Sequence, residues 1–506
     1  MKLVLVIGIL AAIVFRYALS IAVDPDLWGH TKYGMDHIQL GALQKTDPYS
    51  FTAFGDEWIN HEWLTELTFG YAYLIGGNRG LLTVRSLILS LMIGLLFVLW
   101  WWRWPHGFFL LAVAIFCVTI VALFTNIRPH SFSFLLTAVV FFVFELYRRG
   151  HRLWINTLPV VMALWTNLHG GFVVGLALMS LGLVSFLLGT DDLGRQPTSS
   201  ERRHLATLLL LSWLAPLCNP YGFRLFTYLA MALSLKRANI TEWQAVSIKP
   251  MIQNIYLIIV CVTSILCVVS KSWRRVTDTS FFAICAVMTA MHARIFPFMV
   301  IAASLVMMNS FAALWTEHVV KKNRQGFRLL ESNGPLVYLM LIPGVLMVFL
   351  GITDLKQHHY RVYGSTQSYP TQAIRFLKQH RLGPNMSVNF NWSQYAIWHL
   401  YPDYKVSSDG RYETVYEPKF VESQLVNYYA GDFEGYTANL DIDVMMFERQ
   451  SKLADAIAKH PEWVKVYDDT VAVIYVPHRS AALAHLQQET LPYRPQQKTG
   501  AFFYFP

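Results

Sequence analysis

Residues 3–30 read LVLVIGILAAIVFRYALSIAVDPDLWGH, and the break inside this stretch decides the class of fold. Leu3 to Val23 is an apolar run of the length that crosses a hydrocarbon core, for which about 20 residues suffice. Arg16 interrupts it and no small-residue cleavage site precedes Asp24, so the run reads as a retained span. Asp24-Pro25-Asp26-Leu27-Trp28-Gly29-His30 then sets two carboxylates at the mouth of that span, where charge is costly unless it has a task. A second acidic and aromatic cluster, Trp58-Ile59-Asn60-His61-Glu62-Trp63, follows on the same side.

The rest of the chain is built alike. Of its 506 residues 54% are hydrophobic and 14% charged, against about 25% charged in soluble domains. The class is integral membrane. Apolar runs at 3–23, 80–102, 108–126, 131–147, 153–166, 171–188, 205–218, 252–270, 279–291, 295–315 and 334–352 give about eleven transmembrane helices. The net charge of +9 is uneven: residues 354–506 hold 15 Lys and Arg against 16 Asp and Glu, so the excess belongs to 1–353. No clustered basic face of the kind nucleic acid requires is present. With the N-terminus in the cytoplasm, the inside segments carry 15 basic residues, from Lys2 and Arg103 through Arg148, Arg149, Arg152, Arg195, Arg202, Arg203, Lys271, Arg274 and Arg275 to Lys321, Lys322, Arg324 and Arg328. The outer segments are longer in total and hold nine. The positive-inside rule thus orients the chain N-in and C-out. All five cysteines lie in or beside apolar stretches and none follows Cys285, so the tail has no disulfide framework.

After residue 354 the periodicity changes. Met386–Phe390, Lys405–Ser408, Asp441–Phe447, Val464–Tyr467 and Val471–Val476 read as strands. Amphipathic patterns at 370–381, 392–400, 418–429 and 451–459 read as helices between them, the alternation of an α/β domain. The last 25 or so residues read as an irregular extension. The expected organisation is a polytopic α-helical domain over 1–353, with a large first outer loop at 24–79, followed by an α/β domain over 354–506 on the outer side.

The unusual polar motifs sort to the outer ends of spans, whereas the inside loops are merely basic. Asp24 and Asp26 suit a general base toward a hydroxyl, or joint binding of Mg²⁺ or Mn²⁺ with Asp47, Glu62 or His30 as further ligands; Asp is also a good helix N-cap. Arg128 and His130 beside Pro129, and Arg294 after His292, suit an anionic phosphate or snorkel to headgroups. Arg16, inside the first span, pairs with an internal carboxylate or with that phosphate. His169 stands beside Gly170 and Gly171, which permit close backbone approach. Glu242 and Trp243 suit a sugar platform, with His61 and Glu62 in the acidic cluster. Asn219-Pro220-Tyr221-Gly222 reads as a turn. In the tail, Asn391, Trp392, Asp409, Gly410, Arg411 and Tyr412 cluster at strand and helix ends, where α/β folds bind ligands.

This ordered set, DPDLWGH, TDPYSFT, INHEWL, GGNRGL, WTNLHGGF, NPYG, EWQ, HARIFPF, NWSQYAIW and SSDGRYE, resembles the GT-C superfamily of polytopic membrane glycosyltransferases over nearly the whole chain. The resemblance implies transfer of a sugar from a polyprenyl-phosphate donor to a glycan, lipid or protein acceptor on the periplasmic side of the bacterial inner membrane, in synthesis or modification of the cell envelope. It places the catalytic base, and a metal if one is used, at Asp24 and Asp26. Asn126-Ile127-Arg128-Pro129-His130 stands where some relatives carry a second acidic motif, which leaves metal dependence open. An envelope oligosaccharide ligase or polymerase is the alternative enzyme, and a lipid-glycan transporter the alternative outside enzymes.

Overall fold

The computed structural model describes residues 2–19, 21–104, 107–191, 195–235, 237, 240–246, 250–320, 341–486, 491–495 and 500–506. The chain divides into two compact units, one of residues 1–21, 81–223 and 240–360, the other of 22–80, 224–239 and 361–506.

The first unit is helical. Lys2–Ala18, Gly107–Phe124, His130–Arg148, Leu158–Leu168, Phe172–Leu188, Ser199–Leu214, Pro250–Ser270, Val276–Met291, Phe296–Trp315 and Leu341–His358 fall on the apolar runs. Among the described residues, Trp63–Arg103, His130–Arg148, Met251–Ser270 and Ala293–His318 are long and apolar enough to cross a membrane, and four shorter apolar helices accompany them. The run at 334–352 is described only from 341, and Lys321, Lys322, Arg324 and Arg328 lie outside the described residues. Phe296–Trp315 is buried on almost every side, as a helix apolar all round must be.

The basic residues expected simply to mark inside loops are drawn into a buried network. Arg103 reaches Asp278 at 2.7 Å and Glu145 at 3.2 Å; Arg148 reaches Asp191 at 2.7 Å and Asp278 at 3.4 Å; Arg275 reaches Glu145 at 2.9 Å. Glu145 and Asp278 stand on helices the sequence presents as apolar and Asp191 just beyond the end of another, and pairing is what permits them there. Arg85, also inside an apolar run, donates to the carbonyls of Tyr17 and Thr125. Glu145 lies towards the far end of the helix that His130 opens, about 22 Å away at 1.5 Å per residue. Asp278 is likewise at the opposite end of its helix from His292.

The second unit joins the 22–80 segment to 361–506. Five of its strands form one sheet, β1 Asn385–Val388, β2 Lys405–Val406, β3 Val444–Glu448, β4 Trp463–Asp468 and β5 Ala472–Pro477, ordered β2-β1-β3-β5-β4. β1 runs parallel to β2 and β3, and β5 antiparallel to β3 and β4. Central β5 is buried along its whole length, which is why it reads as the unbroken run AVIYVP and not as an alternation. Tyr428, Tyr436, Met445, Phe447, Leu453, Val473 and Tyr475 form the core on one face.

The last residues depart from the expected irregular extension. Phe502–Tyr504 pairs antiparallel with Val362–Ser365, because its aromatic side chains have a partner. Phe505 stacks on the fully buried Trp28 at 4.3 Å between centroids, and Tyr395 meets the same indole edge-on at 4.8 Å. Asn78 holds the adjoining backbone: its amide donates to the carbonyls of Val362 and Phe505 and accepts the Val362 N–H.

Arg411 ties the 24–79 loop to the sheet. Its guanidinium grips Asp409 through Nε and Nη2, meets Asp47 at 2.6 Å, and lies within cation–π range of Tyr33, Tyr49 and Trp58. Burial would depress it, but Asp409, Tyr416 and Asp47 hold its pKa well above the ordinary arginine value. Asp47, expected as a further metal ligand, is thus committed to Arg411 and to the Tyr49 and Ser50 amides. Of the expected ligand cluster in the tail, Asp409 and Arg411 are buried against one another and Trp392 donates to the Ser368 carbonyl, while Asn391 is exposed. These polar groups sit at strand ends because they close loops.

Candidate functional site

The candidate residues fall into two sets, one in each unit. In the second unit the set begins where the helix Pro25–Leu40 begins. Asp24 is its N-cap, with Oδ1 accepting the Asp26 N–H at 3.0 Å, and Pro25 follows with its φ already suited to a first turn. Capping fixes the direction of the Asp24 carboxylate. Asp26, in the first turn, faces Gly410 so closely that a Cβ there would stand 2.9 Å from its Oδ1. Glycine at 410 is what lets the turn approach.

Two turns later the helix crosses Trp63–Arg103 backbone to backbone. A Cβ on Gly34 would collide with the Glu66 carbonyl, and one on Gly70 would stand 2.6 Å from the Gly34 carbonyl carbon. This close crossing brings two imidazoles onto one carboxylate. His30 Nδ1 lies 3.3 Å and His37 Nε2 3.4 Å from Glu66, whose Oε2 also accepts from Asn60 Nδ2 at 2.5 Å. His30 Nε2 is 3.9 Å from Glu62. Burial pulls the His30 imidazole down, yet the hydrogen bond to Glu66 and the charges of Glu62, Glu66 and Asp24 raise it above the usual histidine value. His61 approaches Glu62 at 3.7 Å and packs its ring on Tyr228, while its Nδ1 is buried without a partner among the described residues.

Glu66 and His37 are the members sequence reasoning missed, while Asn60 belongs to the acidic and aromatic cluster it singled out. The signal was there for Glu66, a carboxylate facing into an apolar helix; His37 gave none. Among the described residues no group of three or more His, Cys, Asp or Glu is arranged to hold a metal ion.

In the first unit the outer-end motifs converge. Arg128 pairs with Glu242 at 3.3 Å, joining the 126–130 turn to the short helix Thr241–Trp243. The Arg294 guanidinium lies over the Trp243 ring at 4.2 Å, and His292 donates from Nδ1 to the Trp243 carbonyl at 2.9 Å. EWQ and HAR, far apart in sequence, are one structure. His130 donates to the Phe124 carbonyl and stands 6.3 Å, ring to ring, from His169. Trp165 Nε1 donates to Ser133 Oγ, and His169 Nδ1 takes both the Ser133 hydroxyl and the Gly171 N–H. With Nδ1 an acceptor twice over, the neutral imidazole carries its proton on Nε2. Arg16 pairs with Asp354 at 3.5 Å. Asn219 accepts the Tyr221 N–H and Gly222 takes a positive φ, so NPYG is a turn.

Chemically, this second set offers two guanidiniums, an indole face and a histidine with a defined donor, the means to hold an anionic group next to a ring. The first set offers carboxylates and imidazoles that share protons.

The sequence matches no family model and no curated protein. Three-dimensional comparison finds relatives. The oligosaccharyltransferase of Archaeoglobus fulgidus in its apo form superposes with a TM-score of 0.58 at 11% identity, covering 94% of this chain and 75% of that one. The same archaeal enzyme, AglB, in complex with an inhibitory peptide and a dolichol-phosphate, gives 0.56 at 11% identity with the same coverage. ArnT from Cupriavidus metallidurans, bound to undecaprenyl phosphate, gives 0.52 at 13% identity over 94% of this chain and 97% of that one. Likeness at these identities is likeness of architecture, and by it this chain has the fold of the GT-C polytopic membrane glycosyltransferases.

Proposed function

We propose that the protein is a glycosyltransferase of the bacterial cytoplasmic membrane that moves a sugar from a polyprenyl-phosphate-linked donor to a glycan, lipid or protein acceptor on the periplasmic side. In this reading the N-terminus is cytoplasmic, about eleven helices cross the bilayer, and 354–506 is periplasmic. The observation that carries it is the joining of Arg128, Glu242, Trp243, His292 and Arg294 into one cationic and aromatic cluster. The undecaprenyl phosphate bound to ArnT and the dolichol-phosphate bound to AglB support the choice of donor.

The chemistry is a single displacement. The acceptor oxygen attacks the anomeric carbon as its proton passes to Asp24 or Asp26, and the bond to the phosphate oxygen breaks. In the first unit, Arg128, Arg294 and Arg16 are the residues we assign to the lipid phosphate. His169, holding its proton on Nε2, and His130 serve as hydrogen-bond donors to that group. Trp243 packs on the sugar ring, and His30, His61 and Glu62 orient the acceptor. One displacement inverts the anomeric configuration. A chelator and add-back experiment decides whether Mg²⁺ or Mn²⁺ takes part.

The test is to purify the protein with native lipids, identify the bound lipid by mass spectrometry, and assay Asp24→Asn and Asp26→Asn for restoration of an envelope-glycan defect. A polyprenyl phosphate is expected in the wild-type sample, with loss of restoration in the double variant. Full restoration by that variant refutes the assignment of the base.

A further inference from the structure

The helix Thr371–His380, the helix Ser393–Leu400 and the strand Phe502–Tyr504 surround a cavity of about 480 Å³ in the second unit. That volume lies in the range of roughly 300–1,000 Å³ typical of small-molecule sites. The cavity is separate from the residues given roles above, apart from the Trp28 ring that forms part of its floor.

Its lining is chemically one-sided. Thr371, Gln372, Arg375 and Lys378 come from one helix, Tyr395 and His399 from the next, and among the described residues no Asp or Glu side chain lines it. Two permanent cations at the rim, with no Asp or Glu side chain in the described lining to neutralise them, favour an anion. Tyr395 stands edge-on to Trp28 and His399 packs against Tyr395 at 4.5 Å, so the inner wall is a block of rings. Burial, with Lys378 nearby, pushes the His399 imidazole down to about 4. At neutral pH it is therefore an uncharged ring with one donor and one acceptor. Aromatic faces, hydroxyl and amide groups and rim cations together suit a ring that carries hydroxyls and one acidic group.

We propose that this cavity binds an anionic saccharide, a pyranose bearing a carboxylate or a phosphate, with Arg375 and Lys378 on the acid group and Tyr395 and His399 against the ring. It is a binding site in its own right and does not depend on the transfer reaction.

The experiment is calorimetric titration of the full chain in detergent with D-glucuronate, D-glucose 6-phosphate, D-glucose and inorganic phosphate. At least one of the two anionic sugars is expected to bind ten-fold or more tightly than both glucose and phosphate, and which one does so names the acid group. Arg375 and Lys378 are exposed, so the double variant Arg375→Gln, Lys378→Gln should fold, and it should weaken that binding at least ten-fold. Asp24→Asn should leave it unchanged, which keeps this result distinct from the fate of the transfer reading. Equal binding of glucose and the anionic sugars, phosphate binding as tight as theirs, or undiminished binding by the double variant overturns the proposal.

Discussion

Replacing Gly34 with alanine adds one methyl group at the point where the helix Pro25–Leu40 meets Trp63–Arg103. The new Cβ would stand 2.5 Å from the Glu66 carbonyl carbon, where ordinary contact begins at 3.4 Å. Both atoms belong to helix backbones, so no side chain can swing aside, and the helices must part by about 0.9 Å or more. Overpacking costs about 1–3 kcal/mol when side chains can adjust, and a backbone collision belongs at the upper end, about 3 kcal/mol. The second unit has about 220 residues, a size at which each kcal/mol moves Tm by roughly 2–4 °C. Gly34→Ala should therefore lower the melting temperature of the detergent-solubilised protein by about 6–12 °C, read by differential scanning fluorimetry. Separation also pulls Glu66 from His30 and His37. Gly70→Ala, with its nearest contact at 2.6 Å, should act in the same direction. A methyl group added at Gly76 would have no atom within 4 Å, and Gly76→Ala should be neutral or slightly stabilising, since alanine is the better helix former. A Gly34→Ala protein melting within about 2 °C of wild type would refute the crossing and the site built on it.

Other outcomes are accessible. Asn is as good an N-cap as Asp, so Asp24→Asn should keep the fold while transfer falls about 100-fold or more; full transfer would leave Asp24 as a cap alone. Arg411→Lys removes the fork that grips Asp409 and should cost about 3–5 kcal/mol, seen as protease sensitivity of 361–506; a resistant variant contradicts the role given to Arg411. Because the folded His30 value is raised, its contribution to stability is fully present below the unfolded pKa of about 6.5 and is lost as pH rises through the folded one. His30→Gln should flatten the fall in Tm above about pH 6.5, and an unchanged pH profile counts against the Glu66 interaction. Arg294→Gln should reduce the polyprenyl phosphate that copurifies at least ten-fold; equal lipid content removes it from the donor site.

Much of this architecture is visible in the chain before folding, for physical reasons. The helices of the first unit are visible because lipid requires unbroken apolar runs, and β3 and β5 because buried strands are continuous runs of Val, Ile, Met and Phe. Asp24 and Asp26 announce themselves by standing at the end of such a run. What stays hidden is partnership between distant residues. Nothing near Asp47 indicates Arg411, and nothing near Glu145 indicates Arg275. SSDGRYE reads like a ligand loop because Asp, Gly and Arg serve equally for binding and for closing a turn. Burial distinguishes the two, and burial is a property of the fold. The EWQ and HAR segments are recognisable singly, but only folding stacks Arg294 on Trp243.

The network around Glu145, Asp191 and Asp278 bears on how the molecule is made. An orientation read from loop cations treats every Arg as free, which holds for a chain emerging from the ribosome. In the folded unit Arg103, Arg148 and Arg275 are neutralised by Glu145, Asp191 and Asp278. On the orientation we propose, the loop cations act as a signal during insertion and are neutralised on assembly, so the two steps answer differently to the same residue. Neutralising Glu145 leaves the insertion signal intact and strips the finished bundle of a counter-charge. Defects there should arise after the helices are correctly threaded, as a protein properly inserted and badly packed.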